Sequence, residues 1–335
     1  MFSSVEFFNI GMVLFLAASV FYTIHVFSKS EKMGKIATYT ALAGVVVQGI
    51  AFVLRGMEKA QLNMVNDWFA FYKYAPFTNM YESLMLFGWT IVVIYLILER
   101  KYRNKIFGMF VMPLAVISEA STQILGFNPE AQPLVPALQS NWLLFHVVTS
   151  FIGYAGFAVS AGVAYAYFAR RDDTDIKDWI VLFLSTIFIA FFITYSAYRT
   201  NIFLFFFISA VIAAGVVGFL YWMNRSGFAK KLPSIETLED IMYQAAAVGF
   251  VFLTLGIILG AVWAKYAWGG YWSWDPKETW SLITWLVYSV YLHARYVKGL
   301  SGKPLAHFTI IGFLSVVFTY YGVNLILPGL HSYAQ

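Results

Sequence analysis

The sequence predicts an all-α, polytopic integral membrane protein of about ten transmembrane helices with both termini on the outward side. Three observations predict it. First, 60% of the residues are hydrophobic and only 12% are charged, against about 25% charge in an ordinary soluble domain. Second, apolar runs recur along the whole chain, each long enough to cross a bilayer as a helix of roughly 17–25 residues. Third, the basic residues gather in alternate loops, which is the charge pattern that orients membrane helices.

The runs fall at 5–27, 36–54, 81–98, 105–124, 142–168, 179–197, 202–222, 242–264, 277–297 and 307–327. The first has no basic segment before it and no small-residue cleavage site, so it reads as a retained span and not a signal peptide. One set of loops carries Lys29, Lys32, Lys35; Arg100, Lys101, Arg103, Lys105; Arg170, Arg171, Lys177; Arg225, Lys230, Lys231; and Arg295, Lys298, Lys303. The other set holds only Arg55, Lys59, Lys73, Arg199, Lys265 and Lys277. Sixteen against six places the first set on the cytoplasmic side. An even number of helices then returns both ends outward. The polar segments 55–80 and 223–241 are too short to fold alone, so the chain reads as a single membrane domain over 1–335.

Composition removes several function classes. There is no cysteine, hence no disulfide, no thiolate ligand and no haem bond to a thiol of this chain. The net charge of +5 is accounted for by the cytoplasmic loops and calls for no nucleic-acid partner.

Chemistry concentrates at the outward level. The stretch AWGGYWSWDPKETWSL at 267–282 holds Trp268, Trp272, Trp274 and Trp280, with Asp275 directly beside them. Tryptophans at a membrane surface ordinarily form an aromatic belt. DPKE reads as a helix start, with Asp275 as N-cap, Pro276 at the first position and Glu278 completing a capping box. The density of rings in a loop softened by Gly269 and Gly270 exceeds both needs. An aromatic shelf beside a helix N-terminus suits a flat apolar ring, and Lys265 or Lys277 suits carboxylates at its edge.

The five histidines sort by depth. His146 and His331 lie at the outward level, and His25 and His293 in the inward half. His307 starts the last helix at the cytoplasmic surface, where an interfacial polar role is the ordinary one. Ionisable groups at membrane depth are costly and point to function. A planar macrocycle whose iron takes an axial imidazole on each face fits such pairs. Zinc fits them less well, because it wants four ligands. A satisfied interhelical hydrogen bond remains the competing reading for His25 and His293.

WGGYWSWDPKETW resembles the tryptophan-rich WWD signature of haem-handling proteins in cytochrome c maturation. The wider run LGAVWAKYAWGGYWSWDPKETWSLITWLVYSVYLHAR is similar to the CcsA type, also called ResC, of the system II pathway. TNMYESL at 78–84, VPALQSNWLLFHV at 135–147 and NLILPGLHSYA at 324–334 fit the same type. The resemblance implies roles. His146 and His331 would ligate an outer haem, held by Trp268, Trp272, Trp274 and Asp275 in a WWD loop at 265–276. His293, paired with His25, would form an inner haem site. The cargo would be haem b, taken from the cytoplasmic side and presented for thioether formation with the Cys-x-x-Cys-His segment of an apocytochrome c. The chain would act as a holocytochrome c synthase subunit beside a CcsB/ResB-type membrane protein, supported by a thiol-reducing pathway. It would sit in a bacterial cytoplasmic membrane with the loop facing the periplasm, or in a thylakoid membrane. Its core would be 1–168 and 242–335, since the phenylalanine-rich pair at 179–222 matches none of these blocks. The competing functions are a haem exporter loading a chaperone, a bis-histidine b-type electron carrier, and a transporter of another apolar substrate.

Overall fold

The structure, a computed structural model, describes residues 3–65, 74–195 and 202–329. Among them are ten long helices: α1 (Ser4–Ser28), α2 (Glu31–Leu62), α3 (Met80–Tyr102), α4 (Gly108–Ile124), α5 (Asn141–Arg170), α6 (Ile176–Tyr195), α7 (Ile202–Arg225), α8 (Ile235–Trp268), α9 (Pro276–Tyr296) and α10 (Lys303–Ile326). No strand occurs among the described residues. Seven of the helices, α1, α2, α3, α5, α7, α8 and α10, are long and apolar enough to cross a membrane. α4 has only 17 residues, and α9 carries Lys277 and Glu278 in its first turn and His293 and Arg295 in its last. The protein is an all-α polytopic membrane protein, with helices in the order the sequence predicts.

Two helices outrun their predicted ends for identifiable reasons. α2 continues from residue 54 to Leu62 because Arg55 and Lys59, which read as the polar end of the span, are fully buried and ion-paired. α8 starts earlier, where Ser234 accepts the Thr237 amide, and runs on to Trp268. Nothing in Lys265–Trp268 breaks a helix. Gly269, at φ +84°, does, since a left-handed residue after a helix is the usual stop. Trp268 therefore ends a helix and is not a loop residue.

The described chain divides into two compact units. The first comprises α1–α4, α5 as far as Ala155, and α8 from Val251 on to Ser273. Its helices approach closely at small residues, as membrane helices must when lipid provides no hydrophobic drive. Gly11 faces Gln48, Gly44 faces Phe15, Gly108 faces the Tyr22 ring and Gly88 faces Glu119. Buried polar groups find partners across the helices. Trp89 Nε1 donates to the Val45 carbonyl at 2.9 Å, and Gln48 Nε2 donates to Glu119 at 2.8 Å. At the α1–α3 end that carries Lys105, Glu99 accepts from Tyr22, Thr38, Tyr95 and Lys105 at 2.5–2.8 Å.

The second unit comprises α5 from Gly156, α6, α7, α8 up to Phe250, α9 and α10. Gly156 lies against the backbone at Ala245 and Gly249, and Ser160 Oγ donates to the Met242 carbonyl at 2.8 Å. Phe157 stacks on Tyr288 with centroids 3.5 Å apart. The Thr284 and Thr319 hydroxyls meet at 3.0 Å between α9 and α10. Within α10, Phe318–Gly322 forms a π-helical turn, which places the Phe318 ring 4.1 Å from that of Trp280. The α6–α7 pair joins through Thr194 and Ser209 at 3.1 Å.

Candidate functional site

Within the first unit, the segment between α4 and α5 is tied down at several points. Arg55 Nη2 donates to the Pro129 carbonyl at 2.6 Å, Gln139 Nε2 reaches Asn63 at 3.2 Å, and Leu134 packs with Ala60 and Tyr74. Trp263 Nε1 on α8 donates to the Ala137 carbonyl at 3.1 Å. These contacts set where α5 starts, and so where His146 stands.

His146 faces α8. Its Nδ1 lies 2.7 Å from the Gly256 carbonyl. A carbonyl only accepts, so Nδ1 is the donor, and in the neutral ring the lone pair is then at Nε2. This is the second-sphere arrangement that orients a metal-ligating imidazole. The ring runs parallel to that of buried Trp263, with centroids 6.1 Å apart and planes within 10°. One turn away, Trp142 and Tyr266 repeat the parallel pairing at 6.4 Å. Trp263 also meets Trp268 edge-on at 4.7 Å. The structure thus links His146 to Trp268 of the predicted shelf through Trp263. It adds Trp263, Gly256 and Gly260, which the sequence reading did not single out. The signal was present: Gly256 and Gly260 in GIILG are spaced as a small-residue helix contact.

The loop after α8 keeps its rings accessible. Trp272 is half-buried and Trp274 is 68% exposed. Trp274 stands at φ +59°, a conformation that bulky residues avoid and that marks backbone strain. It turns the chain into Asp275, which belongs with the second unit. Asp275 is the N-cap of α9 with a complete capping box, as DPKE predicts: its carboxylate accepts the Lys277 amide at 3.0 Å, and Glu278 accepts the Asp275 amide at 3.3 Å. A Cβ on Gly329 would come 2.5 Å from Asp275 Oδ1, so the chain after α10 passes directly against this cap. The two lysines offered for a ligand's carboxylates have partners inside the protein. Lys277 Nζ donates to Asn324 Oδ1 at 2.9 Å, and Lys265 Nζ to the Gly269 carbonyl at 3.0 Å.

Asp275→Ala is expected to cost about 1 kcal/mol of stability through loss of the cap, and Asp275→Asn a few tenths. Thermal unfolding in detergent measures both. If Asp275→Asn unfolds like wild type yet loses ligand binding, the charge acts beyond capping.

The other histidines are placed as follows. His25 is buried at the end of α1, with Nδ1 2.9 Å from the Ser30 carbonyl. His293 is exposed on α9, on the helix face that carries Leu286 and Val290. His25 belongs to the first unit and His293 to the second. His307 Nε2 lies 3.1 Å from Asp178 Oδ1 and its ring packs on Phe168, the structural role expected at that position. His331 lies outside the described residues, as do Lys73 and Arg199.

Residues 77–331 match the family described as cytochrome C assembly protein. That span includes His146, the tryptophan loop, the α6–α7 pair and His331, and leaves out α1 and α2. Over 272 residues the chain is 39% identical to the cytochrome c biogenesis protein CcsA of Microcystis aeruginosa, covering 78% of this chain and 79% of that one. Over 277 residues it is 36% identical to the cytochrome c biogenesis protein CcsA of Pyropia yezoensis, covering 81% and 82%. Its fold is similar to a solved structure of the cytochrome c heme lyase CcmF, with a TM-score of 0.59 at 16% identity. That likeness covers 96% of this chain and 47% of the other, so this chain spans about half the length of that structure.

Proposed function

This chain belongs to the cytochrome c assembly protein family, and from that premise we propose that it carries haem to an outward site and presents it for covalent attachment to apocytochrome c. The observation that carries the reading is the seat of His146. Its Nδ1 donates to a backbone carbonyl, which in the neutral ring leaves the lone pair on Nε2, and its ring lies parallel to the indole of Trp263, which in turn meets Trp268. Imidazole supplies the iron ligand, and the indoles supply flat apolar surface for the macrocycle. His331 is the second outer ligand. Gly329, two positions before it in the sequence, packs on Asp275 at the start of α9. His25 and His293 are way-stations on the cytoplasmic side, so that a large amphipathic ring crosses in two steps. Trp272 and Trp274 complete the shelf, and Asp275 holds it to α9.

Haem b is the substrate here, not a resident group. In the attachment step each cysteine thiol of the apocytochrome adds across a vinyl group. A carbon–sulfur bond forms at the ring-side vinyl carbon, and the thiol hydrogen ends on the outer carbon as part of a methyl group. No electron leaves the pair of reactants. The chain therefore needs no nucleophile of its own; it supplies position. One outer histidine must give way as the histidine of Cys-x-x-Cys-His arrives at the iron. A CcsB/ResB-type chain is the partner, and the membrane is a bacterial cytoplasmic or a thylakoid one with the loop outward.

The test is expression in a host without its own maturation pathway, together with an apocytochrome c and a CcsB/ResB-type chain. Haem that stays with the cytochrome in a denaturing gel is the expected result. A haem-loaded membrane protein beside an unmodified apocytochrome would instead favour the b-type electron carrier.

A further inference from the structure

Two of the described histidines are seated in the same way. His25 Nδ1 lies 2.9 Å from the Ser30 carbonyl, and His146 Nδ1 lies 2.7 Å from the Gly256 carbonyl. Four residues after each carbonyl comes a glycine, Gly34 or Gly260. Each glycine lies against the imidazole. A Cβ on Gly34 would come 2.9 Å from His25 Nδ1 and 3.0 Å from its Cε1, and would also meet the Lys105 stem at 2.7 Å. A Cβ on Gly260 would come 2.6 Å from His146 Nδ1 and 2.7 Å from its Cε1.

The spacing has a geometric cause. In an α-helix the carbonyl of residue i points at the amide of residue i+4, as Ser30 does toward Gly34 N at 3.2 Å. The Cβ of residue i+4 tilts back toward the helix N-terminus, over that carbonyl. An imidazole from another helix reaches the carbonyl only where that Cβ is missing. The other two described histidines have a different setting: His307 meets Asp178 through Nε2, and His293 is exposed.

We propose that Gly34 and Gly260 are positioning residues: each opens a seat in which a histidine binds a helix carbonyl through Nδ1 and turns Nε2 toward the iron of transported haem. The inference rests on the haem reading above and adds to it a device shared by two stations. Neither glycine touches the haem. Each acts through the angle and tautomer of its histidine, and a displaced imidazole loses both.

The experiment uses the purified full-length protein with its haem content and absorption spectrum, in four forms: wild type, His146→Gly, Gly260→Ala, and His146→Gly/Gly260→Ala. His146→Gly is expected to lose the His-dependent spectrum and to regain it with added imidazole, which occupies the vacated ring position. Gly260→Ala is expected to weaken haem binding about 10–100-fold, the size of a second-sphere loss. In His146→Gly/Gly260→Ala the new methyl group fills the seat, and imidazole is expected to restore nothing, although the protein melts like His146→Gly. Equal rescue of both forms would overturn the inference while leaving the haem reading intact. A His146→Gly protein that keeps its haem and spectrum without imidazole would remove His146 as a haem ligand, and this inference with it, while haem binding elsewhere in the protein stands. Should Gly260→Ala fail to accumulate, the same contrast at His25→Gly with Gly34→Ala decides the question.

Discussion

Glu82→Ala is expected to be the most damaging single substitution for folding. Glu82 and Lys59 are both fully buried and paired at 2.5 Å, and Lys59 Nζ also donates to Thr78 Oγ1 at 2.6 Å. Arg55 Nη1 stands 3.6 Å from the same carboxylate. Removing the carboxylate leaves a buried ammonium that, among the described residues, keeps the Thr78 hydroxyl. Breaking a buried pair in this way costs about 3–5 kcal/mol. The two cations do not suffer equally. Arg55 keeps Glu58 at 3.5 Å, the Ser4 hydroxyl at 2.8 Å and the Pro129 carbonyl; Lys59 loses the acid it is paired with. Lys59→Met/Glu82→Met should therefore recover most of what Glu82→Ala loses, since an apolar pair of similar volume replaces a desolvated ionic one. The double-mutant cycle in detergent melting temperature reads this coupling directly. A Glu82→Ala protein as stable as wild type would show that water reaches Lys59 and that the pair is not the closure of α2 on α3.

His146→Gly is expected to have the largest effect on function while leaving the fold in place. The side chain meets α8 through its hydrogen bond to the Gly256 carbonyl and a parallel indole, so its loss leaves a ring-sized gap. Covalent haem attachment should fall by about 100-fold or more, beyond the 10–100-fold typical of losing an outer-sphere partner. Imidazole at millimolar levels should return a large part of it. His307→Ala is the informative contrast. His307 is engaged by Asp178 and Phe168, and its replacement should reduce stability modestly and leave attachment unchanged.

Local patterns predicted what depends on neighbours in sequence. Apolar run lengths located all ten helices, and DPKE located the cap of α9 with its capping box. What escaped depends on partners far along the chain. Arg55 and Lys59 read as the end of a span, because their acid, Glu82, arrives only 27 and 23 residues later. With the charges paired inside, α2 continues to Leu62. His146 was legible as an outward histidine. That it docks on a carbonyl 110 residues away is a consequence of how α5 and α8 pack, and the role of Gly260 follows only once that packing is known. Trp263 was hidden for a related reason. It sits among apolar residues of α8 and looks like core, and its indole N–H bond to the Ala137 carbonyl is a tertiary contact with no local signature.

In the proposed function haem is a passenger and not a fixed group. The most direct measurement mixes the purified, haem-loaded protein and its CcsB/ResB-type partner with a reduced apocytochrome c and follows where the haem goes. Acid-acetone extraction separates haem held by ligation from haem held by thioether bonds. Extractable haem is expected to fall as covalent haem on the cytochrome rises by the same amount, and His146→Gly is expected to do this only with added imidazole. Haem that stays extractable and stays with the membrane protein would contradict the proposed function, and would mark the seat at His146 as that of a fixed electron carrier.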